Sequence, residues 1–385
     1  MVASAATRQR PASIEEAAEL LRELGGAGRP LRVRGGGTKS GWGRRCARAD
    51  VEVETGGLTR LLEHNAGDFT AVLEAGVPLA EAQERFAAAG QMLALDPPLS
   101  APGGAAAATI GGVVATADSG PLRHRYGGVR DLVLGITVVL SDGTVARAGG
   151  RVIKNVAGYD LGKLFAGSHG TLGLIATVAV RLHPLATEHA TVRARSEDPD
   201  ALARASSGMA ALPLEADCLD VHWTATQGEV LARFSGPAAS ERAERTAGRL
   251  AGLGLEAEVV ADGAALWERQ RACQRTAEGA VLKVAGVIGD LPAVLGAARE
   301  AGAQAVARAG LGLAWLTLPG DRLDARLRDL RERLPATTLT LLGGAERVGD
   351  PWPAPEPGAL AVMQRIKARF DPADVFAPGT FVGGL

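Results

Sequence analysis

Cysteine is scarce: only Cys46, Cys218 and Cys273 occur in 385 residues, and no two of them form a Cys-x-x-Cys pair. That excludes an iron–sulfur cluster or zinc site held by local thiolates, and it suits a reducing compartment rather than a disulfide scaffold. Aromatic residues make up 4% of the chain and the formal net charge is −1. With few rings to stack on bases and no cationic excess to meet phosphates, no nucleic acid is expected as a partner. No stretch approaches about 20 strongly apolar residues, so no membrane span is expected. The opening "MVASAATRQRPASIEE" lacks the apolar core of a secretory leader, and a cytoplasmic location is expected.

Glycine, by contrast, is plentiful: 51 residues, clustered between positions 25 and 175. The stretch "LRVRGGGTKSGWG", residues 31–43, runs from a short apolar strand into a loop with five glycines. A P-loop needs Gly directly before Lys-Ser, and Thr38 stands there. The dinucleotide fingerprint started at Gly35 needs a glycine where Ser40 stands. What remains is the physics beneath both motifs. Consecutive glycines let backbone N–H groups converge on one point and bind an anion, so a phosphate-bearing ligand is expected. A second run, "TIGGVVATADSG" at 109–120, carries no charge before Asp118. Alone it reads as a tightly packed turn. Together with residues 126–131 and 167–175 it suits a long diphosphate ligand held mostly by main chain.

The pattern of elements divides the chain. Ser13 and Glu16 form a capping box before the helical run "IEEAAELLREL". Then "PLRVR" and "FTAVLEAG" read as strands and "LAEAQERFAAAG" as a helix, making a small α/β unit to about residue 97. "LVLGITVVL", a turn at "SDG" and "TVARAGG" read as a hairpin in a strand-rich unit, 98–186. From 187 to 345 strands alternate with amphipathic helices, which predicts a sheet with helices on one face. A proline-rich linker, "DPWPAPEPG", precedes a last helix, "ALAVMQRIKARF".

"RGGGTKSG", "DPP" with "ATIGGVVATADSG" after it, "RYGGVRDLVLGITVVLSDGTV", "KNVAGYDLGKLFAGSHGTLGLIATVAVRLHP" and the tail "FDPADVFAPG" carry a family likeness. They resemble the FAD-binding oxidoreductases of the vanillyl-alcohol oxidase type, with a PCMH-type FAD-binding domain. Among these they are most similar to the FAD-binding subunits of bacterial glycolate oxidases. The likeness is strong over residues 10–186 and looser in the tail. It implies an α+β fold: a two-part FAD-binding domain over 1–186, an α/β cap with a mainly antiparallel sheet over 187–345, and a segment, 346–385, that returns to the FAD domain. It also implies that Gly35, Gly36, Gly37, Thr38 and Lys39 cradle the pyrophosphate. Thr109, Gly111, Gly112, Ser119 and Gly120 would lie along the flavin and ribityl chain, with Tyr126, Gly127 and Asp131 in the same wall. Gly170, Gly173 and Ile175 would meet the adenosine end, and Pro378 and Gly379 would return to the domain. The histidine or cysteine that often bonds flavin in this superfamily is absent: Thr38 stands in the first loop and no cysteine lies between 47 and 217. Non-covalent FAD is expected.

Oxidising a 2-hydroxy acid requires a cation for the carboxylate and a base for the hydroxyl proton. The six histidines include no helical i, i+4 pair, and the metal-binding motif of metal-dependent relatives, resembling H-x-G-D-G-N-x-H, does not occur; no metal is expected. His222 in the cap strand "LDVHWT" and Arg269 in "LWERQR" are candidate catalytic groups. Each also reads as structure, a satisfied core histidine and one face of an amphipathic helix. The resemblance implies glycolate oxidation to glyoxylate, as part of glyoxylate metabolism, beside a larger flavin subunit and an iron–sulfur subunit, through which the chain would associate with a membrane. Two alternatives stay open: an FAD-binding relay subunit without turnover, and a stand-alone FAD-dependent alcohol or 2-hydroxy acid dehydrogenase.

Overall fold

A computed structural model of the chain describes residues 7–44, 46, 49–101, 104, 106–151, 158–224, 226–344, 348 and 350–385. Residues 152–157, which include the first four of the "KNVAGYD" stretch, therefore lie outside the described residues. The Glu16 backbone N–H donates to Ser13 Oγ at 3.2 Å, and the Glu16 carboxylate accepts from the Ala12 N–H at 2.8 Å. This pair starts the helix Ile14–Gly26. Its apolar face, including Leu21 and Leu24, packs on Leu31, Val51 and Val53. Those residues belong to a three-stranded parallel sheet in the order Thr7–Gln9, Val51–Glu54, Leu31–Arg34.

A five-stranded antiparallel sheet follows in space, ordered Leu61–Asn65, Thr70–Glu74, Leu174–Arg181, Val133–Val139, Val145–Gly149. The sequence pattern groups 61–74 with the first α/β unit; the structure corrects this. Thr70–Glu74 pairs with Leu174–Arg181, and Ala71 and Leu73 enter the same core as Val178 and Val180. Long-range pairing of this kind leaves no local trace, because a buried strand looks the same whichever neighbour it takes.

The cap is an eight-stranded antiparallel sheet built from two successive strand–helix–strand–strand–helix–strand units. In the first, the strands are His189–Ser196, Cys218–Trp223, Gly228–Ser235 and Glu256–Val260; in the second, Ala280–Ala285, Gln304–Arg308, Leu313–Leu318 and Thr338–Gly343. Both units have the split βαβ topology. Their second strands pair at the centre of the sheet with Asp220 opposite Arg308, so the halves face each other across an approximate two-fold. Helices Pro199–Ala210, Ala239–Gly252, Leu291–Glu300 and Leu323–Arg333 cover one face with Leu202, Leu250, Leu295 and Leu330. The other face places Val281, Val306 and Trp315 against Trp42 of the N-terminal unit.

The last helix, Pro357–Phe370, returns the chain to that unit. Lys367 is buried near its end and donates from Nζ to the Thr171 carbonyl (2.9 Å), the Phe376 carbonyl (2.9 Å) and Asp371 Oδ2 (2.6 Å). Beyond it, the Leu31 N–H donates to the Val375 carbonyl and the Ala377 N–H to the Leu31 carbonyl, so the tail extends the parallel sheet. Removing one partner of a buried, hydrogen-bonded ion pair strands the other without water. Lys367→Met is therefore expected to destabilise the protein by about 3 kcal/mol or more, read as a lowered urea midpoint at unchanged slope.

Candidate functional site

A cavity of about 400 Å³ runs between the loop 35–43, the helix Ile110–Thr116, the turn at 169–173 and tail residues Ala377 and Thr380. Its walls are backbone against backbone. A Cβ on Gly36 would lie 1.6 Å from the Ala107 carbonyl oxygen, and one on Gly35 would lie 2.3 Å from Thr109 Oγ1. Glycine is fixed at Gly36 by the meeting of two main chains and at Gly35 by the Thr109 side chain. On the open side, the N–H groups of Gly36, Gly37, Thr38 and Lys39 donate to no acceptor among the described residues. A row of free donors on a glycine loop is an anion site. Thr109 caps the neighbouring helix, its Oγ1 accepting from the Gly112 N–H at 3.3 Å.

Charge collects where this cavity meets the cap. Asp118, 1% exposed, forms an ion pair with Lys39 Nζ at 3.3 Å and accepts a hydrogen bond from Arg275 Nη2 at 2.5 Å. The Arg275 guanidinium also lies over the Trp42 ring, 4.6 Å from its centroid. Burial lowers the Lys39 pKa, while Asp118 opposes that shift. Lys283, on the cap strand Ala280–Ala285, makes no ion pair or hydrogen bond to a described residue. Burial lowers its pKa, as does the nearby charge of Arg123, against the attraction of Asp118. His169 lies on the cavity wall among Trp352 (5.1 Å between centroids), Phe381 (5.4 Å) and Trp42 (6.5 Å). Burial, aided by the Lys283 charge, pushes its pKa down to about 4.

The structure brings Gly35, Gly36, Gly37, Thr38, Lys39, Thr109, Gly111, Gly112, Gly170, Gly173 and Ile175 together around the cavity. Five other sequence-predicted contacts are not on its wall, and each has a structural task. The Ser119 carbonyl accepts from Gln274 Nε2 at 2.8 Å, and Gly120 is pressed against the Asp96 carbonyl. Tyr126 stacks edge-on with His183, while Gly127, at φ +79°, leads into Gly128, whose N–H is held by the Asp131 carboxylate at 2.8 Å. Pro378 and Gly379 flank Ala377 and Thr380 but are not themselves wall residues. His222 and Arg269 converge on Glu229 rather than on the cavity. His222 Nδ1 is 3.5 Å from that carboxylate and Nε2 is 3.0 Å from Gln304 Nε2, while Arg269 pairs with Glu229 directly. Sequence reasoning missed Arg34, Trp42, His169 and Thr380 on the wall and Arg275 behind it. One local signal existed: Asp118 is the only charge in the second glycine run. Among the described residues no group of three or more His, Cys, Asp or Glu could hold a metal ion, and no helix is long and apolar enough to cross a membrane.

Residues 6–149 match the family described as "FAD binding domain". An uncharacterised FAD-linked oxidoreductase of Mycobacterium tuberculosis is 33% identical over 211 residues, 55% of this chain and 45% of that protein. The glycolate oxidase subunit GlcE of Escherichia coli is 34% identical over 155 residues (40% and 43%). The D-lactate dehydrogenase of Archaeoglobus fulgidus is 34% identical over 175 residues (46% and 38%). The matched part thus spans less than half the length of each. A solved alkyldihydroxyacetonephosphate synthase has the same fold, with a TM-score of 0.70 over 96% of this chain and 76% of that one at 14% identity. The chain carries an FAD-binding domain of the vanillyl-alcohol oxidase, PCMH type, and its cofactor is FAD. The N–H groups of Gly36–Lys39, which donate to no described acceptor, and the cavity they border fit that diphosphate.

Two outcomes follow from this geometry. Gly36→Ala is expected to yield protein that purifies nearly without flavin, because even a methyl group collides with the Ala107 carbonyl; the ratio of flavin to protein absorbance reads this. His169 binds its proton at about pH 4 when folded and near 6.5 when unfolded. The unfolded chain therefore holds more protons between those values, so the contribution of His169 is full above pH 6.5 and is lost as pH falls toward 4. Asp96, pushed up by burial to about 6, has the opposite sign and stabilises only while protonated. His169→Phe should accordingly flatten the acid-side loss of stability, measured by denaturation at pH 7 and pH 5, and Asp96→Asn should not.

Proposed function

We propose that this chain is the FAD-binding subunit of a glycolate-oxidase-type complex, oxidising glycolate, or a small 2-hydroxy acid like it, to the 2-oxo acid. Electrons leave through non-covalent FAD to a partner. The observation that carries this reading is Lys283, a half-buried ammonium on the cap strand Ala280–Ala285 that makes no ion pair or hydrogen bond to a described residue and lies close enough to Arg123 and to His169 of the cavity wall for their charges to interact. Two like charges in a water-poor interface cost free energy until an anion joins them. A substrate carboxylate is such an anion. The names of two relatives, a glycolate oxidase subunit and a D-lactate dehydrogenase, support the substrate class, since both name 2-hydroxy acids.

FAD, when bound, supplies the two-electron acceptor. The chain's own residues do the rest. The N–H row from Gly36 to Lys39 binds the diphosphate. Lys283 and Arg123 hold the carboxylate and so fix which C–H bond is presented. The apolar cap face around Val281, Val306 and Trp315 keeps water out. A larger flavin subunit and an iron–sulfur subunit are the partners this reading requires, since the chain has no Cys-x-x-Cys pair for a cluster of its own and one relative is named as a subunit.

A second reading, a relay subunit without turnover, is favoured by one observation: His222 and Arg269 are spent on Glu229. Anaerobic rapid mixing with glycolate, followed at the flavin absorbance band, separates the two. Slow bleaching by the isolated chain, fast bleaching in the assembled complex and a KM raised about tenfold by Lys283→Met are expected. Fast bleaching in the complex with an unchanged KM for Lys283→Met would favour the relay. No bleaching by any 2-hydroxy acid in either preparation would end the proposal.

A further inference from the structure

We infer that Arg275 of the cap holds the cofactor loop in its FAD-binding shape, acting through Asp118 on Lys39 and by its own stacking on Trp42. The inference rests on FAD as the cofactor and is independent of which alcohol is oxidised. Lys39 looks at first like a phosphate ligand, an ammonium on a glycine loop. Its Nζ is instead turned back, donating to Thr38 Oγ1 at 3.1 Å and lying 3.3 Å from Asp118 Oδ2. All three charged side chains are nearly inaccessible, at 5% for Lys39, 1% for Asp118 and 9% for Arg275. Water cannot replace a missing member, so each one fixes the others in place.

Arg275 does not line the cavity, yet it grips the loop at two points, Lys39 by way of Asp118 and Trp42 by direct stacking. Arg275 is itself anchored in the cap. Its Nη1 donates to the Gln274 carbonyl at 2.9 Å, and the Gln274 side chain donates to the Ser119 carbonyl and accepts from Arg308. Arg308 ends the chain of contacts on Asp220 at 2.7 Å, with both residues fully buried on the central strands of the cap sheet. A continuous buried polar path therefore joins the middle of the cap to the loop whose N–H groups are free. Cofactor binding and cap docking are then linked, because each is favoured by the same arrangement of residues 35–43.

Titration of FAD into the apoprotein, followed by flavin fluorescence, tests this with Arg275→Gln, Lys39→Met and the double variant. Arg275→Gln is expected to raise the Kd about tenfold, and the double variant is expected to be clearly less impaired than the product of the two single effects. In apo Arg275→Gln, hydrogen exchange should accelerate in the loop 35–43 and stay unchanged in the cap helix Leu291–Glu300, which separates loop positioning from general loss of stability. A wild-type Kd for Arg275→Gln, or strictly multiplicative effects, would overturn the inference. Should that variant not fold, the wild-type protein decides: residues 271–276 must gain protection from exchange when FAD binds, and no change there refutes the linkage.

Discussion

The glycine loop lies so close to its neighbours that no Cβ fits between them, and the cofactor site depends on that contact. Gly36 meets Ala107, Gly35 meets Thr109, and Gly111 meets Ala75, each so closely that a methyl group has no room. Such packing brings backbone polar groups to the cavity, and at Gly36–Lys39 the N–H groups donate to no described acceptor. The requirement for glycine here is thus double. The inner side forbids a Cβ because protein is there, and the outer side benefits because a ligand can approach the N–H groups directly.

The boundary between the FAD-binding unit and the cap follows a different principle. It joins apolar contacts, Trp42 against Trp315 and Leu122 and Tyr126 against Leu231 and Trp267, with ion pairs such as Arg125 with Asp217 at 3.1 Å and Arg275 with Asp118. Charged contacts of this kind are directional, and when buried they tolerate no missing partner. They fix the cap in one orientation over the cavity more sharply than an apolar interface of equal area would, at the expense of stability. Lys283, which feels Asp118 but makes no ion pair to a described residue, stands out against that background of pairing.

How much of this was legible in the sequence depends on the range of the interaction. The capping box at Ser13 and Glu16, the hairpin through "SDG" and the glycine loop at 35–37 are local, and they occur where the sequence puts them. The duplication in the cap was not legible, because the two units share an order of elements rather than a string of residues, and the short strand Gln304–Arg308 gives no periodic signal. Tyr126, Gly127 and Asp131 lie off the wall of the cavity for a related reason: a positive-φ glycine with an acidic cap has the same composition whether it serves a ligand or a turn. Lys39 could be assigned only once Asp118 and Arg275, far apart in sequence, were seen together.

The tail has a consequence in time. Strand Leu31–Arg34 opens the cofactor loop near the start of the chain, but its edge is completed by Val375 and Ala377, and Thr380 forms part of the cavity wall. On a ribosome moving at about 5–20 residues per second, tens of seconds separate the emergence of the two halves of that wall. During this interval the glycine loop exists without its closing strand, and FAD has no finished place to bind. The nascent chain must therefore fold its first sheets as an empty shell and load its cofactor only after translation has passed Thr380. Free FAD can then act as a post-translational stabiliser of this protein, drawing Val375–Ala377 onto Leu31–Arg34.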